Sequence, residues 1–465
     1  MRKSILIIGA GFSGTLTAVH LLRGASVHAI DVTLVNRGTL SARGVAYGTR
    51  TPAHVLNVPA GRMSAFPDDE GHFLRFAQER DYSISGASFV PRAFYGDYLE
   101  ALLGQADAVA GARDHPGRLS RRVGDVVDLV ISEHDGRAEA VFADGERCWF
   151  DRVVLAIGNY PPADPQIRDP QALRCDAYIQ DPWKQNAMQR VDLERAVLLL
   201  GSGLTTMDMA LDLYQRGMRA PMIVLSRRGL LPIAHRQATA PPSFSHQPPG
   251  IDAEPATVLG YLRAVRSHVR RLAPQGIDWR EVVASLRPIT PRMWLLLPPP
   301  ERARFLRHLR PFWEVHRHRA APLPHSAFMR LIEQSALRVV AGRLLNLARI
   351  PAGFVAHIAR RGSSAPLELE VGTVVNCTGP CTDITRLDDV LMRNLLRRGY
   401  VRADPLRLGM EVSSELAPLD AAGRSTRVLF YVGPLLRADY WEATAVPELR
   451  LHAASVAKVI AESLA

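Results

Sequence analysis

The chain has 465 residues, 47% hydrophobic and 22% charged, a globular balance that at roughly 150 residues per domain gives about three domains and excludes a disordered chain. No run of about 20 apolar residues is present, which excludes a membrane-spanning helix. The net charge of +11 and pI of 9.9 raise nucleic acid as a partner, but Lys3, Lys184 and Lys458 are the only lysines, leaving 54 of the 57 basic residues as arginines. These are spread over every segment rather than gathered in a basic arm, and small polyanions suit them better than nucleic acid.

The four cysteines, Cys148, Cys175, Cys377 and Cys381, include no C-x-x-C pair, so neither a disulfide nor a zinc framework is expected and a reducing cytoplasm is the natural location. Met1-Arg2-Lys3 followed by Ser4 to Ile8 imitates the start of a signal peptide. The apolar run is short, however, and ends in a glycine turn without a small-residue cleavage site, so it reads as a first strand.

That strand, Ile5 to Ile8, is a continuous apolar run of the kind a parallel sheet buries on both faces. It leads into Gly9-Ala10-Gly11-Phe12-Ser13-Gly14, a helix from about Thr15 to Leu22 and a second strand, Val32 to Asn36. Strand, G-x-G-x-x-G turn and helix fall where a dinucleotide fold requires them: Gly9 permits the turn, Gly11 lets backbone approach a pyrophosphate, and Gly14 allows close packing. The helix N-terminus then offers unpaired N–H groups and a positive dipole end to phosphate.

A second unit starts with Val197 to Leu200, Gly201-Ser202-Gly203-Leu204-Thr205-Thr206 and a helix to about Tyr214. Its next strand, Met222 to Leu225, ends in Ser226-Arg227-Arg228-Gly229, where an acid would select a free ribose 2′-hydroxyl. Arginines suit the 2′-phosphate of NADP instead, and NADPH is favoured over NADH. Between the units, Arg152 to Asn159 reads as a buried strand ending in Gly158, stopped by Pro161-Pro162, and Thr373 to Pro380 repeats the phrase.

From about Pro241 to Pro324 the chain is proline-rich at its ends (Pro241-Pro242, Pro248-Pro249, Pro298-Pro299-Pro300) and helical inside. Val258, Leu262 and Val265 share one 3.6-residue stripe, and Phe305, Leu309 and Phe312 another. After this helical insertion, the runs around Leu337 to Val340, Phe354 to His357 and Leu367 to Glu370 predict a small antiparallel sheet. The C-terminal part predicts a strand, Val428 to Gly433, and a helix from about Pro447 to Leu464 whose N-terminus suits the pyrimidine end of a reduced flavin.

Two such units in this order suggest a flavoprotein in which NADPH reduces FAD. The fold class is α/β: two Rossmann-like domains, an FAD-binding domain of residues 1–165 and 375–465 and an NAD(P)H-binding domain of 190–374, with the helical insertion at 241–324. The chain also carries Gly44-Val45-Ala46-Tyr47, Leu56 to Ser64, Phe89-Val90-Pro91-Arg92 with Tyr95 to Leu99, Asp208, Arg310 to Arg319, Gly433 to Leu436, Trp441-Glu442 and Val446 to Arg450. On these phrases, spread over essentially its whole length, it resembles the bacterial FAD-NAD(P)-binding proteins, related to class B flavin monooxygenases and N-hydroxylating monooxygenases. The resemblance implies a monooxygenase that activates O₂ as a C4a-(hydro)peroxyflavin, N-hydroxylation included, on a small polar, amine-bearing substrate. The alternatives are an FAD reductase that activates no oxygen and a non-catalytic flavin-binding sensor or partner.

Two departures stand out. Relatives end the second strand with Glu or Asp for the adenosine ribose, where this chain has Asn36-Arg37; disulfide reductases carry Gly-Asp where it has Gly433-Pro434. Asn57 and Met63 are the first candidates beside the isoalloxazine, and Trp441, Glu442 and Thr444 are candidates for its pyrimidine edge. Gly9, Gly11, Phe12, Ser13, Gly14, Asn36, Arg37, Gly158 and Gly433 complete the expected FAD contacts, and Gly201, Gly203, Leu204, Thr205, Ser226, Arg227 and Arg228 those to NADPH. His316 and His318 with Arg317 and Arg319 are candidates for binding an anionic substrate or moving protons, with a solvated helix end as the alternative. No metal is expected, the partner is a small molecule, and the chain is compatible with a homo-oligomer.

Overall fold

The computed structural model describes all residues except 1, 26–28, 39–41, 113–114, 133, 237–255 and 465. Its first sheet is five-stranded and wholly parallel, in the order Leu429–Tyr431, Arg152–Leu155, Lys3–Ile8, Ile30–Asn36, Gly117–Val123. The apolar run at its centre is why this sheet is internal: Ile5, Leu6 and Ile7 are wholly buried. Both chain ends build the layer, and helix Phe12–Gly24 packs against helix Val446–Leu464. A three-stranded antiparallel sheet, Val126–Ser132, Arg137–Phe142 and Arg147–Phe150, follows strand Gly117–Val123.

The second sheet has seven strands, in the order Leu367–Val371, Gly353–Arg360, Leu337–Ile350, Met222–Ser226, Val197–Leu200, Thr373–Asn376, Tyr178–Ile179. It reaches beyond residues 190–374 at both ends, to Tyr178 and Asn376. The expected small antiparallel sheet is not separate. Strand Leu337–Ile350 pairs in parallel with Met222–Ser226 over its first five residues, then antiparallel with Gly353–Arg360. The change falls at Gly342, where a Cβ would meet Ala359 O at 2.7 Å, and at a bulge between Leu344 and Asn346. A bulge bends a strand and increases its twist, which lets one strand serve both pairings.

Pro241, Pro242, Pro248 and Pro249 lie outside the described residues. The helices that follow are Val258–Leu272, Trp279–Ser285, Thr290–Leu296, Pro299–Arg304 and Arg310–Arg317, with a π-helical turn at Phe305–Leu309. Thr257 and Asp278 cap the first two by accepting from Gly260 N and Arg280 N. The expected stripe of Phe305, Leu309 and Phe312 is broken by that π turn. Its wider winding rotates the residues that follow, so Phe312 is 41% exposed and Trp313 packs against Phe305 instead. Pro322-Leu323-Pro324 are the first turn of helix Pro322–Glu333, which packs on helix Leu204–Gln215 and connects the parallel strands Met222–Ser226 and Leu337–Ile350. Among the described residues no helix is long and apolar enough to cross a membrane.

Candidate active site

The two glycine turns have nearly the same backbone. Gly9 (φ +111°) and Gly201 (φ +103°) lie where a Cβ would come 2.2 Å from Ala156 O and 2.6 Å from Cys377 O, so only glycine fits. Gly11 (φ −84°, ψ −163°) and Gly203 (φ −87°, ψ −167°) open their helices, and neither helix has a side-chain cap. The first N–H groups of each helix are thereby left for an anion. Among the described residues nothing beyond the adjoining chain lies within 4 Å of where a Gly203 Cβ would stand, and the same holds at the strand exits Gly158 and Gly379. These open, glycine-walled cradles fit the pyrophosphate groups of FAD and a nicotinamide dinucleotide.

The third turn position differs between the units. A Cβ on Gly14 would stand 1.8 Å from Gly9 O, whereas the second turn holds Thr206, whose hydroxyl donates to Gly201 O at 2.9 Å. Phe12 and Ser13 are buried, the Phe12 ring packing against Tyr47 and Tyr95, while Leu204 and Thr205 are half-buried.

At the end of the first unit's second strand, Asn36 Oδ1 accepts from Ala10 N at 3.5 Å. Arg37 is engaged by Asp125 (2.6 Å) and Asp389 (2.7 Å), which leaves Asn36 as the polar side chain facing the turn. At the matching place in the second unit, Ser226 Oγ accepts from Gly229 N. Arg227 is exposed and Arg228 donates only to Arg307 O, so neither has a carboxylate partner among the described residues.

A small polar cavity forms where the first domain, the helical insertion and the C-terminal segment meet. Asn57 and Arg62 come from the first, Arg287, Arg317 and Arg319 from the second, and Glu442 from the third. Its volume of about 60 Å³ is room for several waters or one small organic molecule. Arg317 donates through Nε (3.0 Å) and Nη2 (2.6 Å) to Glu442 Oε2, while Glu442 Oε1 is buried without a partner among the described residues. Burial works against the Glu442 charge, but Arg317, His318 and Arg287 more than offset it and hold the pKa below the ordinary carboxylate value. Arg287 forms a two-bond pair with Glu448, and Arg62 lies 3.6 Å from Glu70.

His235, which the sequence reading passed over, also lines this cavity. Burial, with the Arg319 guanidinium next, lowers its pKa to about 3, so the ring is neutral and its Nε2–H donates to Asn57 O at 3.0 Å. No local motif marks His235; its role depends on a backbone bridge between Ala234 and Ala320 that brings it beside Arg319.

The structure separates the other candidates. Met63 is 2% exposed within the core of the first domain and does not line the cavity. Trp441 stacks on Trp294 (4.7 Å, 28°) with Phe305 at its edge, and Thr444 is exposed, so Glu442 alone of that group faces the cavity. Of the histidine–arginine run, Arg317, His318 and Arg319 line it, whereas His316 packs on Trp279 and its Nδ1–H donates to Phe312 O. Gly433 (φ +156°) packs against Tyr431 Oη, which a Cβ would approach to 2.6 Å. Among the described residues no group of His, Cys, Asp and Glu could hold a metal ion.

Residues 6–160 match the FAD-NAD(P)-binding family. The L-aspartate N-monooxygenase (nitrosuccinate-forming) of Streptomyces cremeus is 29% identical over 330 residues, 62% of this chain; the match spans about half of that relative's length, 46%. L-lysine 6-monooxygenase from Pseudomonas syringae superposes with a TM-score of 0.67 at 15% identity, covering 99% of both chains. The FAD-bound cadaverine monooxygenase from Erwinia amylovora does so with a TM-score of 0.66 at 12% identity, covering 98% of this chain and 94% of its own. At those identities the two structures establish a shared fold. Residues 6–160 thus carry the pattern of the FAD-NAD(P)-binding family, and the chain as a whole has the fold of these two monooxygenases.

Proposed function

We propose that the protein is an FAD-dependent, NADPH-consuming monooxygenase that hydroxylates the nitrogen of a small carboxylate-bearing amine. The observation that carries this reading is the buried cavity joining Asn57, three arginines of the insertion and the half-satisfied carboxylate of Glu442. The N-monooxygenase activity named for the 29% identical relative supports it. In the overall reaction RNH₂, O₂, NADPH and a proton give RNHOH, NADP⁺ and water.

FAD, when bound, supplies the electron transfer and oxygen activation. Gly9 to Gly14 would hold its pyrophosphate at the uncapped start of helix Phe12–Gly24, and Asn36 would hydrogen-bond its adenosine ribose. Gly201 to Thr205 would hold the NADPH pyrophosphate, and Arg227 and Arg228 would pair with its 2′-phosphate. In the cavity, His235 fixes the Asn57 backbone and so orients its side-chain amide. Glu442, held ionised by Arg317, accepts an N–H of the amine and directs the nitrogen lone pair. A cytoplasmic location belongs to the same reading, supported by four free cysteines.

Anaerobic NADPH should bleach the flavin of the FAD-loaded protein, and air admitted with an amino acid should then yield its hydroxylamine. Hydrogen peroxide in place of that product would point to a reductase. A flavin that NADPH does not bleach would point to a non-catalytic flavin-binding protein.

A further inference from the structure

The loop that follows strand Met222–Ser226 rests on the helical insertion. Arg228 donates to Arg307 O at 3.4 Å, and its guanidinium lies 5.3 Å from the centre of the Phe312 ring. Phe312 is turned outward there by the π-helical turn Phe305–Leu309, a device that is frequent at functional sites. Between these two contacts stands Arg310, the first residue of helix Arg310–Arg317.

The charges around Arg310 do not balance. Its Nε donates to Glu314 Oε1 at 3.3 Å, Arg437 Nη2 donates to the same oxygen at 2.7 Å, and His318 Nε2 lies 3.3 Å from Oε2. Burial works against the Glu314 charge, but His318, Arg437 and Arg310 hold its pKa down to about 2, so it is ionised at neutral pH. One carboxylate is therefore divided between two guanidinium groups, and Arg227 and Arg228 have none among the described residues. Arg437 has the larger share: its side chain is 13% exposed and its guanidinium lies 4.2 Å from the centre of the Trp441 ring, whereas the Arg310 side chain is 43% exposed. Burial, then Arg437 and Arg227, oppose the Arg310 charge, and only Glu314 supports it.

Arg227, Arg228 and Arg310 thus border one patch in which positive charge exceeds negative. A phosphate monoester, with a charge of about −2 at pH 7 and three acceptor oxygens, complements three guanidinium groups better than a carboxylate does. We infer that the helical insertion belongs to the nucleotide site, with Arg310 as a third guanidinium on the 2′-phosphate of NADPH. The inference rests on the reading that Arg227 and Arg228 face that phosphate. It adds a residue that lies outside the strand, turn and helix of the nucleotide-binding unit.

Isothermal titration of the FAD-loaded protein with NADP⁺ and with NAD⁺ tests this, because the two dinucleotides differ only in the 2′-phosphate. The unsubstituted protein should bind NADP⁺ about 100-fold more tightly than NAD⁺. Arg310→Gln should lower that ratio about 10-fold, the worth of one charge-assisted pair at a partly exposed group, and leave NAD⁺ affinity unchanged. Arg310→Lys keeps the charge without the planar fork and should lower the ratio by about half that free energy, or about 3-fold. It decides the matter if the glutamine variant does not fold. A ratio that both Arg310 variants leave intact while Arg227→Gln lowers it would overturn the inference and spare the assignment of Arg227. Equal weakening of NADP⁺ and NAD⁺ by Arg310→Gln would overturn it too, by assigning Arg310 a structural role. Equal binding of the two dinucleotides by the unsubstituted protein would overturn this inference and the reading of Arg227 and Arg228 together.

Discussion

Arg317 places two hydrogen bonds on a single oxygen of Glu442, 125 residues further along the chain, and the other oxygen is buried without a hydrogen-bond partner among the described residues. Both side chains are at most 10% exposed, so this pair fastens the helical insertion to the C-terminal segment in a low-dielectric setting.

Glu442→Gln leaves Arg317 as a buried cation without its counter-charge and should cost roughly 3 kcal/mol in denaturant unfolding at pH 7. The Glu442 pKa is held below its ordinary 4.5, so its contribution is present in full above 4.5 and is lost as pH falls from there through the lowered folded-state value. The substituted protein should therefore lose less stability between pH 6 and pH 3 than the parent.

Arg92 meets Asp208 at 2.8 Å, joining the helix Arg92–Ala110 of the first domain to the helix Leu204–Gln215 of the second. Arg92→Ala should cost about 3–5 kcal/mol by stranding Asp208, and adding Asp208→Asn should recover part of the loss. Burial, opposed by Arg92, raises the Asp208 pKa from 3.8 to about 6. A raised pKa favours the folded state at low pH and loses that benefit as pH rises through about 6. Asp208→Asn should thus gain stability relative to the parent between pH 4 and pH 7, measured by thermal unfolding.

The glycine turns separate folding from cofactor binding. Gly203→Ala places its methyl in open space with an ordinary backbone, so the melting temperature should stay within about 2 °C while the KM for NADPH rises. Gly14→Ala drives a Cβ against Gly9 O and should lower both the melting temperature and the FAD content of the purified protein.

Much of this was legible in the chain because it is local. A buried run such as Ile5 to Ile8, a glycine turn and a helix lie within about 20 residues, and their geometry follows from glycine φ values and an uncapped helix start. Asn57 and Glu442 are singled out by their phrases and both line the cavity, but the identity of their partners is not legible there, since His235 and Arg317 reach them across the fold. The inward-facing Trp313 was missed because a π turn has no sequence periodicity of its own. Trp441 illustrates the converse: beside the cavity-lining carboxylate of Glu442 in sequence, its ring is spent on Trp294 and Phe305.

Arg227 and Arg228, without carboxylate partners among the described residues at the end of strand Met222–Ser226, should set the choice of nicotinamide cofactor. Replacing both by alanine should raise the KM for NADPH by about 10-fold to 100-fold and leave NADH nearly unaffected in stopped-flow flavin reduction. Equal losses for the two cofactors would assign these arginines another role.

The central claim is that NADPH oxidation is spent on oxygenating an amine. It is tested most directly by turning over the FAD-loaded protein with NADPH, L-aspartate and isotopically heavy O₂, and analysing the product by mass spectrometry. The expected result is an N-oxygenated product carrying heavy oxygen, formed in step with NADPH consumed. NADPH consumed with all the oxygen recovered as peroxide, and no labelled nitrogen product from any amino acid offered, would contradict the account.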